Sequence, residues 1–143
     1  MTSKPGGKRV TRLAADANVI LSAVIGKAAL RVFVHGSVEV VTTSAVLEEV
    51  SEYLPVFAQS YGIAPEVVES QFRLLGIHAY ERREYEEHLP LALRRIGKRD
   101  PDDAGLVALA LALGIPIWSN DRDFEAAGVR YYPTAQLLRL LGL

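Results

Sequence analysis

Apolar positions recur along this chain at two periods, and the alternation between them predicts its elements. Arg9–Ala15 reads as a short strand, apolar toward its end, that stops at Asp16. Asn18–Ile25 sets Val19, Ile20, Ala23 and Val24 at helical spacing, and Ala28–His35 continues helical until Gly36 stops it. Val38–Thr42 is rich in β-branched residues and predicts a second strand. Thr43 or Ser44 then caps a helix that starts near Ala45, with Val46, Leu47, Val50 and Leu54 as its apolar stripe. Pro55 is expected to end or kink that helix. Residues 56–76 hold two further helical pieces, the second opened by Ala64-Pro65-Glu66, and Ile77–Tyr80 reads as a short strand. Tyr85–Ile96 is amphipathic with Pro90 inside it, and Pro101–Leu113 predicts a strong helix capped by Gly114. Ile115–Ser119 is apolar nearly throughout, as a central parallel strand should be. Val129–Tyr132 and Thr134–Leu141 complete the series as a strand and a helix.

Strands that alternate with helices in this way predict an α/β protein, a three-layer α/β/α sandwich around a mostly parallel sheet. The 143 residues suit one domain, expected over residues 9–143 behind a flexible leader at residues 1–8. In such sheets ligands sit beyond the carboxyl ends of the strands, which is where chemistry is to be sought.

Composition narrows that chemistry. There is no cysteine, so thiol catalysis, zinc–thiolate sites and iron–sulfur clusters are excluded. Net charge is −1, so no global positive field draws in nucleic acid, and any such contact needs a local basic patch or metal ions. The longest apolar stretch, Ala104 to Trp118, is broken by Gly105, Gly114 and Pro116 and is short for a membrane span of ~20 residues. The basic start (Lys4, Lys8, Arg9) makes a poor signal peptide because Asp16 interrupts the apolar segment next to it. These features lead to the expectation of a cytoplasmic protein without membrane contact.

The acids carry the strongest signal. Asp16 and Asp121 each follow a predicted strand, Asp123 lies two residues beyond, Asp100, Asp102 and Asp103 open the long apolar helix, and Glu48 and Glu49 lie in the first turns of another. Each spot also has an ordinary reading as a cap, a turn former or a solvated helix face. Helix dipoles reward single acids; they do not ask four elements to aim acids at one rim. Clustered carboxylates repel, and a shared proton or a cation offsets that repulsion. Oxygen-only clusters suit hard divalent ions, Mg²⁺ or Mn²⁺, one or two of which activate water in phosphodiester cleavage.

Four strings now give the chain a resemblance. Leu13-Ala14-Ala15-Asp16-Ala17-Asn18-Val19-Ile20 resembles the opening strand and Asp-x-Asn motif of PIN domains. Thr43 to Val50, Asp100 to Ala110, and Ile117 to Phe124 are similar to the second, third and fourth PIN motifs, in order and at family-like spacing. The resemblance implies a metal-dependent endoribonuclease of the kind found among VapC-like toxins, leaving a 5′-phosphate and a 3′-hydroxyl. It implies Asp16, Glu49, Asp103 and Asp121 as catalytic metal ligands, with Asp123 as a further ligand. Asn18, Ser119 and Asp100 would be auxiliary, the first two orienting the acids. It also implies an RNA substrate, an antitoxin partner and a homodimer. Trp118 departs from the pattern, which has an aliphatic residue there, and residues 55–99 align with no motif.

Arg94, Arg95, Lys98 and Arg99 precede the third acid motif at spacings that share one helix side, a candidate phosphate-binding patch or else a solvated helix end. His35, His78 and His88 lie far from every acid motif and read as surface or packing residues. Two other readings stand beside the nuclease. One is a non-catalytic PIN-fold binding module or a housekeeping RNA-processing nuclease without an antitoxin. The other is a receiver-like phosphoacceptor domain, which wants a Lys after a late strand where this chain has Ser119-Asn120-Asp121.

Overall fold

Leu13, Ala14, Ala15, Val41 and Ile117 are all fully buried, as strands covered on both faces require. The computed structural model describes residues 10–96 and 103–143. The strands are β1 (Arg12–Ala15), β2 (Glu39–Thr43), β3 (His78–Tyr80), β4 (Ile117–Trp118) and β5 (Tyr131–Tyr132). They form one parallel sheet in the order β3-β2-β1-β4-β5. The leader expected at residues 1–8 lies outside the described residues, as do Lys98, Arg99 and Asp100.

Side chains alternate across the sheet with the period of two that a strand imposes. Leu13, Ala15, Val40 and Trp118 face one core. Against it pack α1 (Ala17–Val24), α2 (Ala29–His35), α3 (Ser44–Ser60), α4 (Pro65–Leu74) and α8 (Thr134–Leu140). Ala14, Val41 and Ile117 face the other core, formed with α5 (Leu89–Ile96), α6 (Ala104–Leu113) and α7 (Asp123–Ala126). The result is the three-layer α/β/α arrangement read from the pattern. No single described helix is long and apolar enough to cross a membrane.

One sequence expectation needs correction, and two elements gain detail. Pro55 does not end its helix: α3 runs through it from Ser44 to Ser60. Proline removes one helical hydrogen bond, to the carbonyl of Ser51, but both residues are exposed and water can take the bond's place. The amphipathic stretch Tyr85–Ile96 enters α5 through two 3₁₀ turns (82–84 and 86–88), which places Pro90 in a first turn that tolerates it. The long helix is described from Ala104, with Asp103 at its N-cap position and no capping bond from that side chain.

Candidate active site at the carboxyl edge of the sheet

The strand order reverses at β1. The chain leaves β1 for β2 and β3 on one side, then crosses back to β4 and β5 on the other. The carboxyl ends of β1 and β4 therefore flank the switch point, where an open parallel sheet leaves a crevice. Asp16 directly follows β1, and its N–H donates to the Trp118 carbonyl at 3.2 Å, extending the ladder by one residue. That bond places Asp16 across from Ser119, the first residue after β4.

Asp16 caps α1: its Oδ1 accepts from the Val19 N–H at 3.0 Å. Its Oδ2 accepts from the Ser119 hydroxyl. The same Ser119 Oγ accepts the Asp121 N–H at 2.9 Å, and Asp121 Oδ1 accepts the Asp123 N–H at 2.9 Å. One chain of hydrogen bonds thus links Asp16, Ser119, Asp121 and Asp123. Burial pushes the Asp16 carboxyl above its ordinary range, and the Asp121 charge pushes the same way. Bonds from Ser119, Val19 and the Asn18 main-chain amide oppose that rise without cancelling it. Asn18 reaches Asp16 through its backbone, and among the described residues its exposed side chain makes no bond to an acid.

The loop after β4 is pinned from two more directions. Trp118 Nε1–H donates to Thr134 Oγ1 at 2.9 Å, and Asn120 Oδ1 accepts the Thr134 N–H at 2.8 Å. Trp118 is fully buried with the Phe33 ring 5.3 Å away, so its apolar bulk fills the core while its N–H finds a partner. That geometry accounts for an aromatic residue at a position the family pattern fills with an aliphatic one.

Two supporting residues had no signal in the sequence. Thr42, wholly buried, donates from Oγ1 to the Ala15 carbonyl at 2.7 Å, beside Asp16. Tyr85, 6% exposed, hydrogen-bonds with Thr43, and burial pushes its hydroxyl above the usual tyrosine range. Thr43 caps α3, its Oγ1 accepting the Val46 N–H at 3.0 Å. Tyr85 also lies alongside Gly105 near the start of α6, where an added Cβ would be in ordinary contact with its ring and hydroxyl. It therefore braces the starts of the two helices that carry Glu49 and Asp103. Its only trace in the sequence is an aromatic amid the charged run from Glu81 to His88.

Glu49 is exposed on α3, and Asp103 is half-buried at the start of α6. Both helices begin at the carboxyl edge, but among the described residues no three Asp, Glu or His side chains close up into a metal-binding group. What the fold brings together is the Asp16–Ser119–Asp121–Asp123 chain. Arg94 and Arg95 are exposed in the last turn of α5, which packs along α6.

A family model described as PIN domain matches residues 15–141. The chain belongs to the PIN-domain family. The match covers all five strands apart from the first residues of β1, together with the whole acid rim. PIN domains are nuclease folds that typically use divalent metal ions. No curated protein matches the chain. The donor set of this PIN domain suits such an ion: it is oxygen only, and the groups that act on the buried Asp16 include no cation among the described residues.

Proposed function

We propose that this PIN domain is a metal-dependent endoribonuclease using Mg²⁺ or Mn²⁺. The supporting observation is the pairing of Asp16 and Asp121 through Ser119 at the switch point, one acid buried and neither neutralised by a neighbouring described cation. Asp16 and Asp121 would hold the ion, with Glu49 and Asp103 completing the donor set and Asp123 beside them. When bound, such an ion supplies water activation and neutralises charge developing on the phosphate. The protein's own part is positioning. Ser119 fixes the Asp16 carboxylate and the Asp121 backbone, and the Thr43–Tyr85 brace sets the starts of α3 and α6. Arg94 and Arg95, with Lys98 and Arg99 next along the chain, would contact backbone phosphates of the RNA.

Calorimetric titration with Mn²⁺ tests the centre. Saturable binding by the wild type that is lost in Asp16→Asn, together with Mn²⁺-dependent cleavage of a random single-stranded RNA pool, is the expected result. Binding without cleavage favours the non-catalytic module, and no binding removes the metal centre. The toxin role, the antitoxin and the homodimer rest on the family resemblance. Growth arrest on induction of the wild type but not of Asp16→Asn tests the first, and sedimentation velocity tests the last.

A further inference from the structure

Residues 17–38 contain no Asp or Glu, and neither do residues 126–143. The fold brings these two acid-free segments together, because α2 packs against α8. At their junction lies a cavity of about 330 Å³ lined by Leu30, Val34 and Leu143 and by Lys27, Arg31 and His35. Arg31 and His35 stand four apart on one side of α2, and Lys27 precedes them in the turn that leads into that helix. Val34 is 76% exposed and Leu143 39%.

The walls are fixed. Gly26 N–H donates to Ala23 O and Lys27 N–H to Ser22 O, both at 3.0 Å, which sets the turn from α1 into α2. Leu143 N–H donates to Leu138 O at 2.8 Å, holding the opposite wall. The Lys27 ammonium lies 5.1 Å from the centre of the Tyr61 ring. Among the described residues neither Lys27 nor Arg31 has a carboxylate within 4.0 Å.

We propose that this groove docks an acidic amphipathic segment of a partner protein. One apolar side chain enters the cavity, and carboxylates on adjacent turns meet Lys27 and Arg31. Charge complementarity selects this occupant: an apolar cavity with Lys27 and Arg31 at its rim and no Asp or Glu among its lining residues favours a ligand with the opposite pattern. The preformed walls mean that little ordering is needed on the groove's side. A nucleic acid would meet the cations and leave the cavity unfilled. A second copy of the chain is the competing occupant, since α3 presents Glu48 and Glu52 beside the exposed Tyr53 and Val56. None of the lining residues belongs to the acid rim, so the inference stands apart from the nuclease reading.

The test uses the full chain and a labelled designed helix with Leu at i, i+4 and i+7 and Glu between them, read by fluorescence anisotropy. A twin helix with Lys in place of Glu is the control. The expected result is saturable binding of the Glu helix, weakened roughly tenfold or more by Val34→Asp and by the Lys27→Glu/Arg31→Glu double variant. The double variant should then prefer the Lys helix. All substituted positions are exposed, and an unchanged circular dichroism spectrum checks the fold. The proposal is overturned by any of four results: no saturation, equal binding of the two helices, indifference to both variants, or full displacement by an RNA oligonucleotide. Self-association of the wild type that Val34→Asp abolishes would assign the groove to a second copy instead.

Discussion

A single carboxyl, Asp16, terminates β1, caps α1 and faces a second acid through a shared serine. Its raised pKa has a stability consequence of definite sign. Between the ordinary aspartate value of 3.8 and the higher folded value, the native state holds more proton than the unfolded chain. Stability therefore falls as pH rises through that window, and the deficit persists above it. Asp16→Asn removes this penalty while keeping an acceptor for the Val19 N–H. Without divalent ions it should be more stable than the wild type at pH 8, and the difference should shrink toward pH 4, as followed by urea denaturation. An advantage that grows on acidification would contradict the buried-charge account. Ser119→Ala should act in the opposite direction. It strips a donor from Asp16 and an acceptor from the Asp121 N–H, at a cost of about 1–3 kcal/mol in the same measurement.

Elements here are set by their ends more than by their middles. Thr43 supplies the cap of α3 and the partner of Tyr85, so Thr43→Ala should cost about 1–2 kcal/mol and Thr43→Ser much less, measured by denaturant midpoint. Gly105 lies in the first turn of α6, where an added Cβ would stand 3.7 Å from the Tyr85 hydroxyl, an ordinary contact. Gly105→Ala should therefore stabilise by about 0.5–1 kcal/mol through helix propensity, and a loss of stability would show that Tyr85 leaves no room. Pro55 obeys the same rule: an interior proline is tolerated where the bond it removes faces solvent.

Across the whole molecule, the sheet order ranks the strands. β1 is paired on both sides and carries fully buried side chains on both faces, whereas β5 is a two-residue edge strand. Amide exchange in β1 and β4 should be the slowest in the protein and exchange in β5 the fastest among the strands. Slow exchange at β5 would point to an edge covered by another chain. The same order makes the switch point between β1 and β4, and the candidate site inherits its place from that topology.

The sequence by itself determined the parallel α/β architecture, because buried strands and amphipathic helices have periods that can be counted. It marked Asp16, Ser119 and Asp121 through motif and position at strand ends. It could not show that Pro55 would pass through a helix, or that the run from Glu81 to His88 would fold into 3₁₀ turns beneath a buried tyrosine. Those outcomes depend on which face of an element meets solvent. Only the tertiary structure decided that Asp16 and Asp121 share one hydroxyl while Asn18 contributes its backbone. It also decided that α2 and α8, distant in sequence, meet around one basic-rimmed cavity. The physical reason is the same in each case: local periodicity is set by neighbours along the chain, whereas burial, charge coupling and grooves are set by neighbours in space.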